Sequence, residues 1–177
     1  SDIGKNIANE TLDIIKNINV GKKFKENKKK PFLLSGNLTS KEINKESSAF
    51  RFAINEDLIT AISLYLKEVP ILRFIDIYIS RNLRNDKYFG SQHFHSDWED
   101  KRQIKIFIFS QRTGPKDGTF HLIDAKNSIK IKNLLNYKYS KRIKDYHIRD
   151  LVKNNIIHPI IADPGTILLC DTSRCLH

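Results

Sequence analysis

The residues best suited to chemistry are His95 and Asp97, in the run Phe94-His95-Ser96-Asp97-Trp98. Residues 92–98 read as an extended segment, in which side chains two apart point to the same face. An imidazole and a carboxylate so placed converge on one point and offer two neighbouring ligands to a metal ion. A further His completes a set of two imidazoles and one carboxylate, which holds a divalent ion and leaves its remaining positions open. The chain supplies one at His177, beyond the Asp163-Pro164-Gly165 turn and an apolar run. His93 lies on the same strand face, so a His93/His95 pair is a rival set of the kind a cupin-like zinc or manganese site uses. The alternatives for His93 are to orient a ligand from outside the set or to face solvent.

These residues need a scaffold, and the hydrophobic patterning suggests one. Residues 2–20 have loosely helical apolar spacing, ended near Gly21. The lysine-rich run at 22–30 reads as a solvated loop, and residues 31–34 as a short strand. Residues 55–68 form the clearest helix, capped by Asn55 and favoured by Glu56 and Asp57 in its first turn. Its stripe of Leu58, Ile59, Ile62 and Leu66 is expected to pack on a sheet. From residue 71 onward strands predominate: 71–80, 104–109, 119–123, 156–162 and 166–170, with turns at 114–118 and 163–165. Residues 129–152 read as mixed helix and loop. Helices followed by many short strands point to a mainly β fold with flanking helices, a sandwich or barrel. One domain over residues 1–177 is expected, with a helical and loop part at 1–70 and a strand-rich core at 71–177.

Composition narrows the classes. The 177 residues carry 40% apolar residues and a net charge of +11, with no Met and only two Cys. No apolar run is long enough for a membrane span, and the first residues lack a signal-peptide core. Cys170 and Cys175 are too few for a disulfide scaffold, which suggests reduced thiols in packing roles and a cytoplasmic location. The positive charge raises a nucleic-acid partner. Yet Lys, Asn and Ile are abundant together, as in a general compositional bias, and no base-reading motif is present; a nucleic-acid partner is not expected. A metal-free binding module is a further alternative.

The pattern His95-Ser96-Asp97, then an apolar strand, then GPKDGTFHLI, then DPGTILLCDTSRCLH resembles the phytanoyl-CoA dioxygenase-like branch of the Fe(II)/2-oxoglutarate-dependent oxygenases. The resemblance covers roughly residues 71–177. It implies a double-stranded β-helix, or jelly roll, and iron(II) held by His95, Asp97 and His177. It also implies 2-oxoglutarate and O2 as cosubstrates, with hydroxylation of a small-molecule or lipid-like substrate and release of succinate and CO2. The Arg that family members use for the far carboxylate of 2-oxoglutarate would lie beyond His177. Arg174 is expected to face away from the metal. Lys105, between isoleucines in a strand, is a candidate partner for the cosubstrate, the alternatives being an Asp or solvent. Thr119 and Tyr78 could add hydrogen bonds inside the barrel. His121, His147 and His158 are expected to be structural or exposed.

Overall fold

The computed structural model describes residues 2–17, 24–27, 30–36, 41–80, 88, 90–138, 141–152 and 154–177. They fall into two units: residues 1–82, 108–112 and 162–167 form the first, and residues 83–107, 113–161 and 168–177 the second.

In the first unit, α1 (Asp2–Asn17) occupies the expected helical stretch and buries Ile7 and Ala8. Glu10 on this helix accepts from both the backbone N–H and the hydroxyl of Ser48, 2.8 Å each, and so fixes the start of α2 (Ser48–Ala53). Helix α3 (Glu56–Leu66) begins where expected: the Asn55 side chain accepts from the Leu58 N–H at 3.0 Å, and the helix ends on Lys67 in the left-handed region. No residue of α3 is fully buried.

Strands β1 (Phe24–Asn27), β2 (Lys30–Gly36) and β3 (Tyr78–Ser80) form an antiparallel sheet in that order. Part of the lysine-rich stretch is therefore strand, not loop; residues 18–23 and 28–29 lie outside the described residues. The strand expected over 71–80 shortens to its last three residues, and Ile71, at 86% exposure, is among the most exposed apolar side chains of that run. Its apolar content lacks the sheet neighbours that would make it a strand. In the turn at 163–165, Gly165 has φ +84°. A Cβ on Gly4 would stand 2.1 Å from the Gly165 carbonyl oxygen, so α1 meets this turn only because position 4 has no side chain.

In the second unit, β4 (Ile104–Ile108) pairs with β7 (Ile167–Asp171), the Ile108 and Ile167 ends counting to the first unit. Strand β5 (His121–Leu122) pairs antiparallel with β6 (His158–Pro159). The strand expected at 156–162 is cut to two residues, one of them Pro159, which has no N–H to donate to a ladder. Isolated bridges extend the β5–β6 pair sideways. Ile123 bridges Leu176, the backbones of His177 and His95 exchange two hydrogen bonds, and Phe94 bridges Ile143. Five short extended segments thus lie side by side.

Helices α4 (Ala125–Leu134) and α5 (Asp145–Leu151) occupy the stretch expected to be mixed. Phe94, Ile123, Ile131, Ile143, Ile148, Ile157 and Leu176 form the core, drawn from both helices and all five segments or their flanks. Among the described residues the sheets are small and no barrel closes. No helix among them is long and apolar enough to cross a membrane.

Candidate metal centre

The side-by-side segments of the second unit set the site. His95 and His177 are direct cross-strand neighbours: the His95 N–H donates to the His177 carbonyl at 3.0 Å, and the His177 N–H to that of His95 at 2.9 Å. Side chains opposite one another in such a pair share a face, and the two rings lie with centroids 4.4 Å apart. Asp97, two residues after His95, returns to that face, its N–H held by the Thr172 carbonyl at 2.8 Å. One possible ligand atom from each of His95, Asp97 and His177 lies within 4.8 Å of the others. The His95 Nε2 is 3.9 Å from Asp97 Oδ1, and the His177 Nε2 is 3.8 Å from Asp97 Oδ2. All three side chains are at most a tenth exposed.

Backbone carbonyls fix the tautomers. His95 Nδ1 lies 2.9 Å from the His93 carbonyl oxygen, and His177 Nδ1 3.2 Å from that of Cys175. A carbonyl only accepts, so each Nδ1 carries the proton and each Nε2 lone pair faces the shared point. This is the arrangement in which histidines bind metals. Phe120 stacks on the His177 ring at 5.5 Å between centroids, and Phe107 packs on Phe120 at 5.0 Å, so one wall is aromatic.

Charge follows from burial. Desolvation pushes the His95 ring down, the His177 and Arg142 charges push it further, and the His93 carbonyl and Asp97 only partly oppose them. The result is about 3, against an ordinary 6.5. Desolvation also lowers His177, more than Asp97 and the Cys175 carbonyl raise it. Asp97 is raised by burial, but hydrogen bonds from Lys105 and Thr172 and the Lys105 charge outweigh that and hold it below the usual carboxylate range. Two neutral imidazoles beside an ionised carboxylate are the donor set that a divalent first-row ion needs. Bonds of roughly 2 Å would place neighbouring ligands about 3 Å apart, so the two His–Asp97 separations need contract by only about 1 Å.

The pH dependence has a definite sign. In the unfolded chain these histidines gain a proton below about 6.5, whereas in the folded chain both are shifted down, His95 to about 3. The unfolded state therefore binds more protons between about 6.5 and about 3, and stability falls as pH drops through that window. Asp97 adds stability above its unfolded value of 3.8 that is lost as pH falls through its lower folded value. In metal-free protein, the urea midpoint should decline steadily from about pH 7 to about pH 4. His95→Gln should flatten that decline; equal slopes in the two proteins would contradict the assignment.

Lys105 meets Asp97: its Nζ lies 2.5 Å from Oδ2. Of the partners considered for it, an Asp is the one found. Thr119 is buried, but its hydroxyl donates to the Gly114 carbonyl at 2.6 Å and so closes the turn at 114–118. Tyr78 belongs to the first unit, half-exposed; its hydroxyl donates to Asp76 at 3.1 Å, and burial together with that neighbouring carboxylate raises it to about 12. His93 does not join the cluster; its Nδ1 lies 3.6 Å from an Asp145 carboxylate oxygen. Arg174 is exposed, in a turn and not in extended chain, its N–H bonded to Asp171.

Patterning gave no sign of several supporting residues. The Gln103 amide donates to the Thr172 hydroxyl at 3.0 Å, and Thr172 in turn hydrogen-bonds Asp97. Ser173 donates to Asp171 and stands 3.0 Å from the Lys101 carbonyl. Lys132 on α4 donates to the carbonyls of Ser173 and Arg174 at 3.1 and 3.0 Å. Together they pin the turn that delivers His177.

Ser96 is the exception: fully buried, its Oγ has no hydrogen-bond partner among the described residues. An unmatched buried hydroxyl costs about 1–3 kcal/mol. Ser96→Ala should therefore leave thermal stability unchanged or slightly higher, and a loss above about 1 kcal/mol would show that the hydroxyl is satisfied after all.

Comparison with family models, with curated proteins and with solved structures finds no match for this chain.

Proposed function

We propose that the chain is a Fe(II)- and 2-oxoglutarate-dependent oxygenase that hydroxylates a small-molecule or lipid-like substrate on a jelly-roll scaffold. The observation that carries this reading is the convergence of His95, Asp97 and His177 with both Nε2 lone pairs directed at one point. Two imidazoles and one carboxylate form the facial set typical of such iron sites, with positions left for cosubstrate and oxygen. The row of short extended segments beside the cluster is compatible with part of a jelly roll. The motif order in residues 71–177 points the same way.

On this reading His95, Asp97 and His177 hold the iron, which when bound supplies the oxidising chemistry. The chain's own residues do the rest. The His93 and Cys175 carbonyls keep each ring turned toward the ion. Lys105 and Thr172 keep Asp97 ionised and aimed. Phe107 and Phe120 exclude water from one side, which strengthens electrostatic interactions there.

The test is succinate release by the full-length protein supplied with Fe(II), ascorbate, 2-oxoglutarate and O2. Succinate formed in an iron-dependent manner, and absent in Asp97→Ala, is the expected result. Tight iron binding with 2-oxoglutarate left intact would assign the centre to a different metal chemistry.

A further inference from the structure

The segment that carries His95 has a second neighbour. On the edge away from His177, Phe94 bridges Ile143 in antiparallel sense, and the Ile143 N–H donates to the Phe94 carbonyl at 2.8 Å. Further along, the Tyr137 hydroxyl joins the same two segments: it accepts from the Ser96 N–H at 3.2 Å and donates to the Lys141 carbonyl at 2.9 Å. With Phe94 opposite Ile143 and Ser96 opposite Lys141, His95 stands opposite Arg142. Phe94 and Ile143 point into the core, so the alternation of extended chain turns His95 and Arg142 to the other face. Cross-strand neighbours of this kind have Cβ atoms about 5 Å apart. Asp97 and His177 share that face with His95. Arg142 is exposed, its Nη1 3.4 Å from the Lys141 carbonyl oxygen. Its positive charge adds to burial in lowering both rings. Lys105, by contrast, serves Asp97. Among His95, Asp97, His177, Lys105 and Arg142 the one anion is Asp97, and a bound divalent ion would add further positive charge.

We infer that Arg142 binds the substrate of this centre, and that the substrate carries an acidic group, a carboxylate or a phosphate. A guanidinium presents its N–H donors in a planar fork that matches either group through paired hydrogen bonds. Set beside His95, it anchors one end of the ligand next to the point on which the Nε2 atoms converge. The excess of positive charge favours an anionic ligand over a neutral one and speeds its capture. 2-Oxoglutarate is the other acidic molecule of the proposed reaction. It must bind the ion itself, among buried side chains, whereas the substrate need only lie beside the ion, which suits a cation at the exposed rim. The substrate role rests on the oxygenase reading; the anion site itself does not.

The experiment separates the two. Phenyl phosphate is titrated calorimetrically into the metal-free chain, with benzyl alcohol as the neutral control. The phosphate should bind and the alcohol should not. Arg142→Gln should weaken the phosphate about tenfold or more, the scale of a charge-assisted pair. Arg142→Lys should recover only part, because an ammonium replaces the fork with a point charge. No phosphate binding, or equal affinity in wild type and Arg142→Gln, would overturn the anion site. Mn(II) and saturating 2-oxoglutarate are then added, and the 31P relaxation of phenyl phosphate is measured. The ion should accelerate it in wild type and far less in Arg142→Gln, while the 2-oxoglutarate affinity of the two Mn(II)-loaded proteins stays equal. Phosphate that binds without faster relaxation lies away from the centre and would overturn the substrate role. Loss of 2-oxoglutarate affinity in Arg142→Gln would give the residue to the cosubstrate and overturn it too. If the chain binds Mn(II) but not 2-oxoglutarate, the oxygenase reading and the substrate role fail together. The calorimetry on metal-free chain still decides the anion site.

Discussion

Asp97→Ala is expected to weaken divalent-ion binding by about a hundredfold or more, beyond the 10- to 100-fold that loss of an outer partner costs. Asp97 is the only anionic ligand of the three, and it lies 3.8–3.9 Å from both Nε2 atoms. Without it, two neutral imidazoles would face Lys105, whose charge opposes any cation. Asp97→Asn should do nearly the same, because it keeps the shape and removes the charge. Isothermal titration with Mn(II) checks both. Retention of wild-type affinity by either variant would mean that the ion, if bound, sits elsewhere. The fold should survive the Asp97→Ala change, since Asp97 holds Thr172 through its backbone N–H as well as its carboxylate.

Leu176→Ala should act in the opposite manner, through the scaffold. Leu176 is completely buried in the core with Ile123, Ile131 and Ile148. Its backbone is held on both sides: its N–H donates to the Ser128 hydroxyl at 2.8 Å, and its carbonyl accepts from the Ile123 N–H at 2.8 Å. Truncation leaves those bonds but opens a cavity, at a cost of about 2–5 kcal/mol. That is a large share of the stability of a small domain. Because His177 follows directly, metal affinity should fall as well, but excess metal should restore part of the thermal stability, as binding to the native state alone requires. In Asp97→Ala, by contrast, added metal should restore nothing. Similar melting temperatures for Leu176→Ala and wild type would show that the core does not depend on this segment.

How much of this was legible in the sequence differs by element. Helix α3 was, because Asn55, Glu56 and Asp57 mark its start locally. The convergence of His95 and Asp97 was, because alternate residues of an extended segment share a face whatever surrounds them. The place of His177 came from motif order, not from local physics; what sets it is a backbone pairing across 82 positions, between residues 95 and 177. The strand expected at 71–80 failed because apolar, β-favouring residues make a strand only beside a partner, and Ile71 and Phe74 are exposed. Lys105 illustrates the same limit. A cation among isoleucines signals that a partner exists, but only the fold reveals that the partner is Asp97. Thr172, Gln103 and Phe120 left no trace because their contacts cross between distant segments.

The most direct measurement follows the ring nitrogens themselves, by 15N NMR of histidine-labelled protein titrated with Zn(II). Among the six histidines, His95 and His177 should show the Nδ1–H tautomer before metal is added. Both Nε2 resonances should then shift together, saturating at one equivalent, while His93 stays unchanged. Movement of only one of the two, or movement of His93 with His95 while His177 remains still, would contradict a centre built from His95, Asp97 and His177.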